Sequence, residues 1–491
     1  MLGMRGVRGT KNRARCVAAL SQQRDKVPIS WAPNLRTENG MQTIVDRLAG
    51  YAVRDVGRTL PDEVLHHAKR SVLDWFAALF PGSRVAPTTQ LARAHFRELG
   101  QGRCSLPGLK TTAFANTAAW INGTASHAVE FDDIFRDAVY HPGVPVVSAA
   151  LAVAEDAGRS GLELLKAVVV GYEISTRIGA AVQPSHYRYF HTTGTVGCFG
   201  SAAAAAVLLD PHDAATTRHA LATAASFAAG LQQAFRADSM TKALHGGHAA
   251  ASGVTAALAA ANGVTGAPDM LEGEVGFGAA MSDGAVWSRA TDGLGETYNI
   301  TRITHKSHGC CGHTFAAIDA VLVLRQELGQ GWRDRVRAIE VQTYQTAIDV
   351  TGNADPRSAQ QARFSLPYVV AQAWLYGSVR LAAFGEARLA DPAARALMQR
   401  VTLNSDPVLS AGFPSMRAAR VRIVLDDGRT LEHFAPHRRG DPEAPLGDTE
   451  LNDKFDELVG PVIGPDATRR LRQRLWRLDA LELADLELAP G

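Results

Sequence analysis

The chain has 491 residues, more than one apolar core usually serves, so two domains are expected. Its 51 Lys and Arg stand against 49 Asp and Glu, a formal net charge of +2 with no polybasic run in the body of the chain, which excludes nucleic acid and membrane surface as expected partners and leaves a small molecule. Five cysteines, scattered except for adjacent Cys310 and Cys311, make no disulfide framework and suit a reducing, cytoplasmic setting.

Residues 1–24 are basic and acid-free, and Pro28 and Pro33 break any helix that follows. The stretch 1–40 therefore reads as a disordered extension, with a mitochondrial transit peptide as the alternative. No later window is expected to hold the 18 to 20 uninterrupted apolar residues of a membrane span.

The helical period begins with Ile44, Val45, Leu48, Ala49 and Ala52 on one stripe. Leu60-Pro61-Asp62-Glu63 marks a second helix start, with proline in the first turn and acids at the positive end of the helix dipole, and Pro81-Gly82 marks its stop. A helix is expected over 88–99 and a turn-rich link or short hairpin over 100–109. Further helices are expected over 144–157, 160–179, 197–209, 220–231, 249–262 and 316–328. Near Gly293 the texture changes. Residues 336–344 and 419–425 alternate apolar and polar as half-buried strands do, Asp426-Asp427-Gly428-Arg429 is a hairpin turn leading into a strand over 430–434, and helices at 366–375 and 392–399 lie between. From residue 449 the chain returns to amphipathic helix.

Polar residues gather just before these small-residue helices. Glu130, Asp132 and Asp133 place three acids in four positions, which repel one another unless a cation or hydrogen-bond donor is near. Pro142 keeps His141 out of a helix interior, on the loop leading into 144–157. His191 with Thr192, Thr193 and Thr195 precedes 197–209, where these residues either cap a helix or line an anion pocket at its N-terminus. Lys242, His245 and His248 sit among glycines and alanines. Lys242 is either solvated on a surface turn or buried against an anion, because a buried ammonium needs a partner. Residues 301–315 crowd Lys306, three histidines and the two cysteines. The adjacent cysteines lack the C-x2-C spacing of a zinc site.

Six segments in register across residues 41–460 together resemble the MmgE/PrpD superfamily: N-G-T-A-S-H-A-V-E-F-D-D with H-P-G, G-Y-E-I, F-H-T-T-G-T-V-G-C-F-G-S-A-A-A-A, T-K-A-L-H-G-G-H-A-A, L-E-G-E-V-G-F, and K-S-H-G-C-C-G-H-T-F-A-A-I-D-A. That superfamily includes 2-methylcitrate dehydratases, cis-aconitate decarboxylases and iminodisuccinate epimerases. The resemblance implies a mainly α fold with a smaller α+β domain: a large helical domain over 41–300, an α+β lid over 301–440, and closing helices over 441–491 that pack back on the first domain. It also implies a homodimer that works on a di- or tricarboxylate without metal or organic cofactor.

Carried over residue by residue, the resemblance makes His141, His191, Lys242, Glu130 and Asp132 catalytic candidates. Lys306, His245, Asp133, Thr193, His308 and Cys311 become substrate-binding candidates. The chemistry suits them, since lysines stabilise charge growing beside a carboxylate and histidines titrate near neutrality. A hydro-lyase resembling 2-methylcitrate dehydratase is the reading taken first. A decarboxylase, an epimerase or an inactive helical binding protein are the alternatives. The chain departs from the family pattern in places: Glu130 stands where many members have Asp, Phe315 replaces a histidine, His308 and His313 are new, and Cys311 occupies the position of a histidine that the decarboxylases are expected to use.

Overall fold

The computed structural model describes residues 42–235, 239–328, 331 and 335–488. The expected N-terminal extension lies outside them. In chain order the labelled elements are α1 (Ile44–Gly57), α2 (Asp62–Gly82), α3 (Thr88–Ala94), β1 (Cys104–Leu106), β2 (Thr111–Ala113), α4 (Ala115–His127), α5 (Gly143–Ala157), α6 (Gly161–Val182), α7 (Gly197–Leu209), α8 (Ala214–Ala225), α9 (Thr241–Ala261), α10 (Phe315–Leu328), β3 (Val336–Thr343), α11 (Leu366–Tyr376), α12 (Pro392–Met398), β4 (Val401–Ser405), β5 (Ala419–Leu425), β6 (Thr430–Ala435), α13 (Asp448–Ile463) and α14 (Pro465–Trp476).

Local chemistry explains most boundaries. Thr43 with Asp46 and Ser160 with Glu163 form reciprocal capping boxes that start α1 and α6, satisfying donors a helix start leaves orphaned. Asp213 accepts from the backbone of Ala215 and Thr216, so α8 begins earlier than its apolar pattern suggests and ends at Ala225 rather than at 231. Helix α3 stops at Ala94 instead of reaching 99: past it Phe96 faces water, and no buried stripe continues the helix.

Within the compact unit that starts at Thr43 there are two large apolar cores. The first is helical, built around residues such as Trp75, Phe76, Val168 and Phe199, and the closing helices add Leu451, Phe455 and Leu458 to it. One window in it, Thr192–Leu209, is long and apolar enough to cross a membrane by length and composition, contrary to the expectation from sequence; it is 94% buried inside the protein. The second core lies between α10, α11 and a four-stranded sheet of order β4-β3-β5-β6, parallel between β3 and β4 and antiparallel elsewhere. This is the mainly helical body with a smaller α+β part. Strand β4 was not expected: Val401-Thr402-Leu403-Asn404 alternates apolar and polar, but over only two apolar positions, and neither is fully buried.

Two features press the helices toward the site. A Cβ on Gly247 of α9 would run into the Trp120 carbonyl and the Thr124 side chain of α4, so glycine there permits the close crossing of these helices. Lys454 of α13 is buried, pairs with Asp74 of α2 at 2.5 Å and donates to the Phe131 carbonyl at 2.9 Å, bracing the loop that follows α4.

Candidate active site

Four segments converge between the two cores. The first is the loop from Ala128 to Pro142, which carries Glu130, Asp132, Asp133 and His141. It is pinned by a backbone bridge from Ile134 to Thr304, by Lys454, and by Arg363, which reaches from the α+β side to donate to the Val129 carbonyl at 2.7 Å. Glu130 itself sits at φ 58°, a left-handed conformation that costs a non-glycine residue of order 1 kcal/mol or more and is found where surrounding structure enforces it. The second segment is the turn at His191–Thr195. The third is the first turn of α9, where Lys242 is helical and buried rather than on a surface turn. The fourth is the stretch 304–314 before α10.

Together they build a buried cluster of charge. The Glu130 carboxylate lies between the ammonium groups of Lys242 and Lys306, the latter at 3.1 Å, and Lys306 also reaches Asp132 at 3.3 Å. Burial alone would raise both acids, but Lys242 and Lys306 hold Glu130 well below the usual carboxylate range, and Lys306 with His127 does the same for Asp132. Lys306 is in turn raised: burial lowers it, and the two carboxylates more than offset that. Two lysines facing two carboxylates leave this cluster without net charge.

Imidazoles line the other side. His141 places Nδ1 2.7 Å from the Asp133 carbonyl and 2.8 Å from the Asp132 carboxylate, so its Nδ1 proton is engaged and Nε2 is left as the basic nitrogen. Its backbone N–H donates to Thr193 Oγ1 at 3.3 Å. Burial lowers His141 to about 4, overcoming the raising effect of Asp132. His191 stacks on His127 at 5.5 Å and places Nδ1 3.1 Å from Nδ1 of His245. Burial first, and then neighbouring cations and imidazoles, lowers His191 well below its ordinary value, and lowers His245 to about 4. These three rings are therefore neutral near pH 7 until an anion arrives.

The cavity in front of this cluster is lined by Glu130, His141, His191, Lys242, Lys306 and Cys311 from the expected set. It holds only about 50 Å³, small beside the roughly 300–1,000 Å³ of ordinary ligand pockets, so a small-molecule ligand requires the walls to part. Asp132 and His245 stand directly behind, each touching a lining side chain. Asp133, Thr193 and His308 do not line it. Asp133 accepts from Tyr172 Oη at 2.7 Å and from the Gly143 N–H at 2.9 Å, and burial raises it to about 7. His308 pairs with Asp319 at 2.9 Å.

Several residues escaped the sequence reading. His127 Nδ1 lies 2.8 Å from Asp132; its signal was present, five positions ahead of that acid in the same motif. Tyr187, Phe364 and Arg417 also line the cavity, together with His313. Arg417 gave no signal, being one arginine among several in an unremarked segment. His127, Asp132 and His141 bring three donor atoms within 4.8 Å of one another, a set a divalent transition ion could use. The carboxylate of that set is already engaged by Lys306 and by both imidazoles.

Two family models match the chain, the MmgE/PrpD N-terminal domain over residues 46–290 and the MmgE/PrpD C-terminal domain over 308–480. The chain belongs to the MmgE/PrpD family. Among its MmgE/PrpD relatives is the cis-aconitate decarboxylase-like protein oryM of Aspergillus oryzae, 28% identical over 451 residues that span 86% of this chain and 91% of that one. The human cis-aconitate decarboxylase is 28% identical over 440 residues, 86% of this chain and 89% of the relative. A cis-aconitate decarboxylase of Aspergillus terreus is 25% identical over 445 residues, 86% and 90% of the two chains. These relatives are named for decarboxylation, whereas the reading taken first from sequence was dehydration.

Proposed function

We propose that this chain is a cofactor-independent lyase of a tricarboxylate, and that it decarboxylates cis-aconitate or a close analogue. The observation that carries the reading is the buried pair of lysines facing neutral imidazoles in one cavity. Substrate carboxylates compete with Glu130 for Lys242 and Lys306. The arriving negative charge raises His141 and His191, so the site takes up the proton it needs as it binds. When the bond to the departing carboxylate breaks, CO2 leaves without the electron pair, the pair moves into the unsaturated skeleton, and an imidazolium delivers its proton to the carbon that receives the charge. A trianion and one proton become a dianion and CO2. Lysine charge beside the remaining carboxylates stabilises that carbanionic transition state, and the apolar side chains of Ile134, Val139, Val350 and Phe364 suit a neutral leaving group.

Dehydration of a hydroxy-tricarboxylate such as 2-methylcitrate is the second reading, and Cys311 favours it. Burial pushes that thiol up, so it stays protonated near neutrality and is a poor substitute for the imidazole expected there in decarboxylases. We also take the working form to be a homodimer, which light scattering on the purified protein tests.

Proton NMR in deuterated water, on chelator-treated protein given cis-aconitate, 2-methylcitrate, citrate or iminodisuccinate in turn, separates these readings. Release of CO2 with deuterium entering the product supports decarboxylation. Loss of water supports the second reading, exchange beside a carboxylate without net loss supports epimerisation, and silence on all four removes the lyase proposal.

A further inference from the structure

The cluster that faces substrate is already neutral, yet a tricarboxylate brings three negative charges. One further cation stands at the cavity. Arg417 precedes β5 on the α+β side, lines the cavity, and is only 5% exposed. Buried guanidinium groups nearby have their needs met: Arg438 grips Asp441 through two nitrogens at 2.6 and 2.9 Å, and Arg363 donates to the carbonyls of Val129 and Gly309. Arg417 is different. Among the described residues its one hydrogen bond is a 3.4 Å contact to the Arg136 carbonyl, its other contact is with the Phe413 ring at 5.4 Å, its Nε is buried without an acceptor, and no carboxylate pairs with it. Asp441, whose charge bears on it, is committed to Arg438 and to Thr304 Oγ1. Burial, and then Arg438, lowers Arg417 to about 10, the direction expected of a guanidinium lacking a counter-anion.

A buried guanidinium with neither an anion nor a full set of acceptors is costly; Arg363 also lacks a carboxylate, but two carbonyls and the Phe384 ring satisfy it, and Arg417 has no such set. A planar fork of donors at a cavity wall matches a carboxylate in two-point contact. We propose that Arg417 binds a carboxylate of the substrate, the one that Lys242 and Lys306 leave uncompensated, and so makes the site select tricarboxylates over dicarboxylates. The inference rests on the polycarboxylate reading of the same cavity, while assigning a residue and a selectivity that reading does not contain.

The test measures binding apart from turnover. Calorimetric titration of the full chain uses propane-1,2,3-tricarboxylate, a saturated acid with no double bond to react, and glutarate, the same skeleton without the middle carboxylate. The wild type should prefer the tricarboxylate by about tenfold or more, and Arg417→Gln should lose about tenfold or more for it while glutarate binding stays within about twofold. Arg417→Lys, which keeps the charge and loses the fork, should fall between, and it carries the comparison if the glutamine variant fails to fold by circular dichroism. With whichever acid is turned over, Arg417→Gln should raise KM far more than it lowers kcat. If no acid is turned over but the tricarboxylate binds in an Arg417-dependent way, the lyase reading falls and this assignment stands. If a tricarboxylate is turned over and the variant's KM is within about twofold of wild type, or if both acids weaken equally, Arg417 does not select substrate and the assignment is overturned.

Discussion

Replacing Lys306 by Met, a chain of similar length without the charge, tests the charge balance of the site most directly. Lys306 is buried between Glu130 at 3.1 Å and Asp132 at 3.3 Å, so the variant leaves two buried carboxylates with Lys242 alone. Breaking a buried pair from one side costs about 3–5 kcal/mol, roughly two to four powers of ten in the folding equilibrium at about 1.4 kcal/mol per decade. The pH dependence has a definite sign. Both carboxylates are held below their ordinary values in the folded protein, so the stability they supply is present above about pH 4 and is lost as pH falls through the lower folded values. In Lys306→Met the acids are no longer held down so far, and the gap to wild type should be widest near neutrality and narrow toward about pH 4. Urea unfolding of both proteins, near pH 7 and again near pH 4.5, reads the difference from the transition midpoints. Adding Asp132→Asn, which removes the carboxylate stranded by the loss of Lys306 and keeps the Lys242 pair with Glu130, should recover about half of the loss or more. A variant within about 1 kcal/mol of wild type near pH 7, or an equal loss at both pH values, would refute the charge-balanced description.

Lys242→Met should lower kcat/KM by about 10²-fold or more while the circular dichroism spectrum is retained, since the lysine pairs with Glu130 at the cavity wall; full activity in that variant removes it from the chemistry. Because burial lowers His141 and His245 to about 4, these rings should contribute stability that grows as pH rises from about 4 to 6.5, where the unfolded chain binds protons they refuse; a His141→Gln variant whose urea midpoint keeps a constant offset from wild type across that window contradicts the buried, neutral ring. Dialysis against a chelator should leave turnover unchanged, and added zinc should not raise it, because Asp132 already serves Lys306 and two imidazoles; measured loss and metal-dependent recovery would reverse that. Gly247→Ala should cost about 1–3 kcal/mol in urea unfolding, through the clash with Trp120 and Thr124.

What the sequence disclosed follows from how local each signal is. The apolar stripe from Ile44 to Ala52, the hairpin turn at Asp427-Gly428, and alternation in β3 and β5 each reside within a few residues, and they mark elements that formed where expected. The N-terminal half of α9 was harder. Gly246-Gly247 lowers helix propensity, and only the opposing surface of α4 explains why glycine is needed there. The site divides in the same way. Glu130, His141, His191, Lys242 and Lys306 lie in short motifs dense with chemistry, and all five meet at one cavity. Asp133 and His308 share those motifs but face inward to Tyr172 and Asp319, an orientation no spacing reveals. Arg417 arrives from the α+β side, far along the chain, and only folding shows that its guanidinium has no acid of its own among the described residues.

The left-handed backbone at Glu130 has a further consequence for how this position can vary. Aspartate visits that conformation more readily than glutamate does, so the longer acid keeps a backbone penalty that a shorter one would ease. In exchange its carboxylate spans both ammonium groups and occupies the wall of a cavity of only about 50 Å³. Shortening this one side chain would relax the loop and deepen the chamber together. Side-chain length at residue 130 thus couples the strain of this loop to the room left between the two lysines.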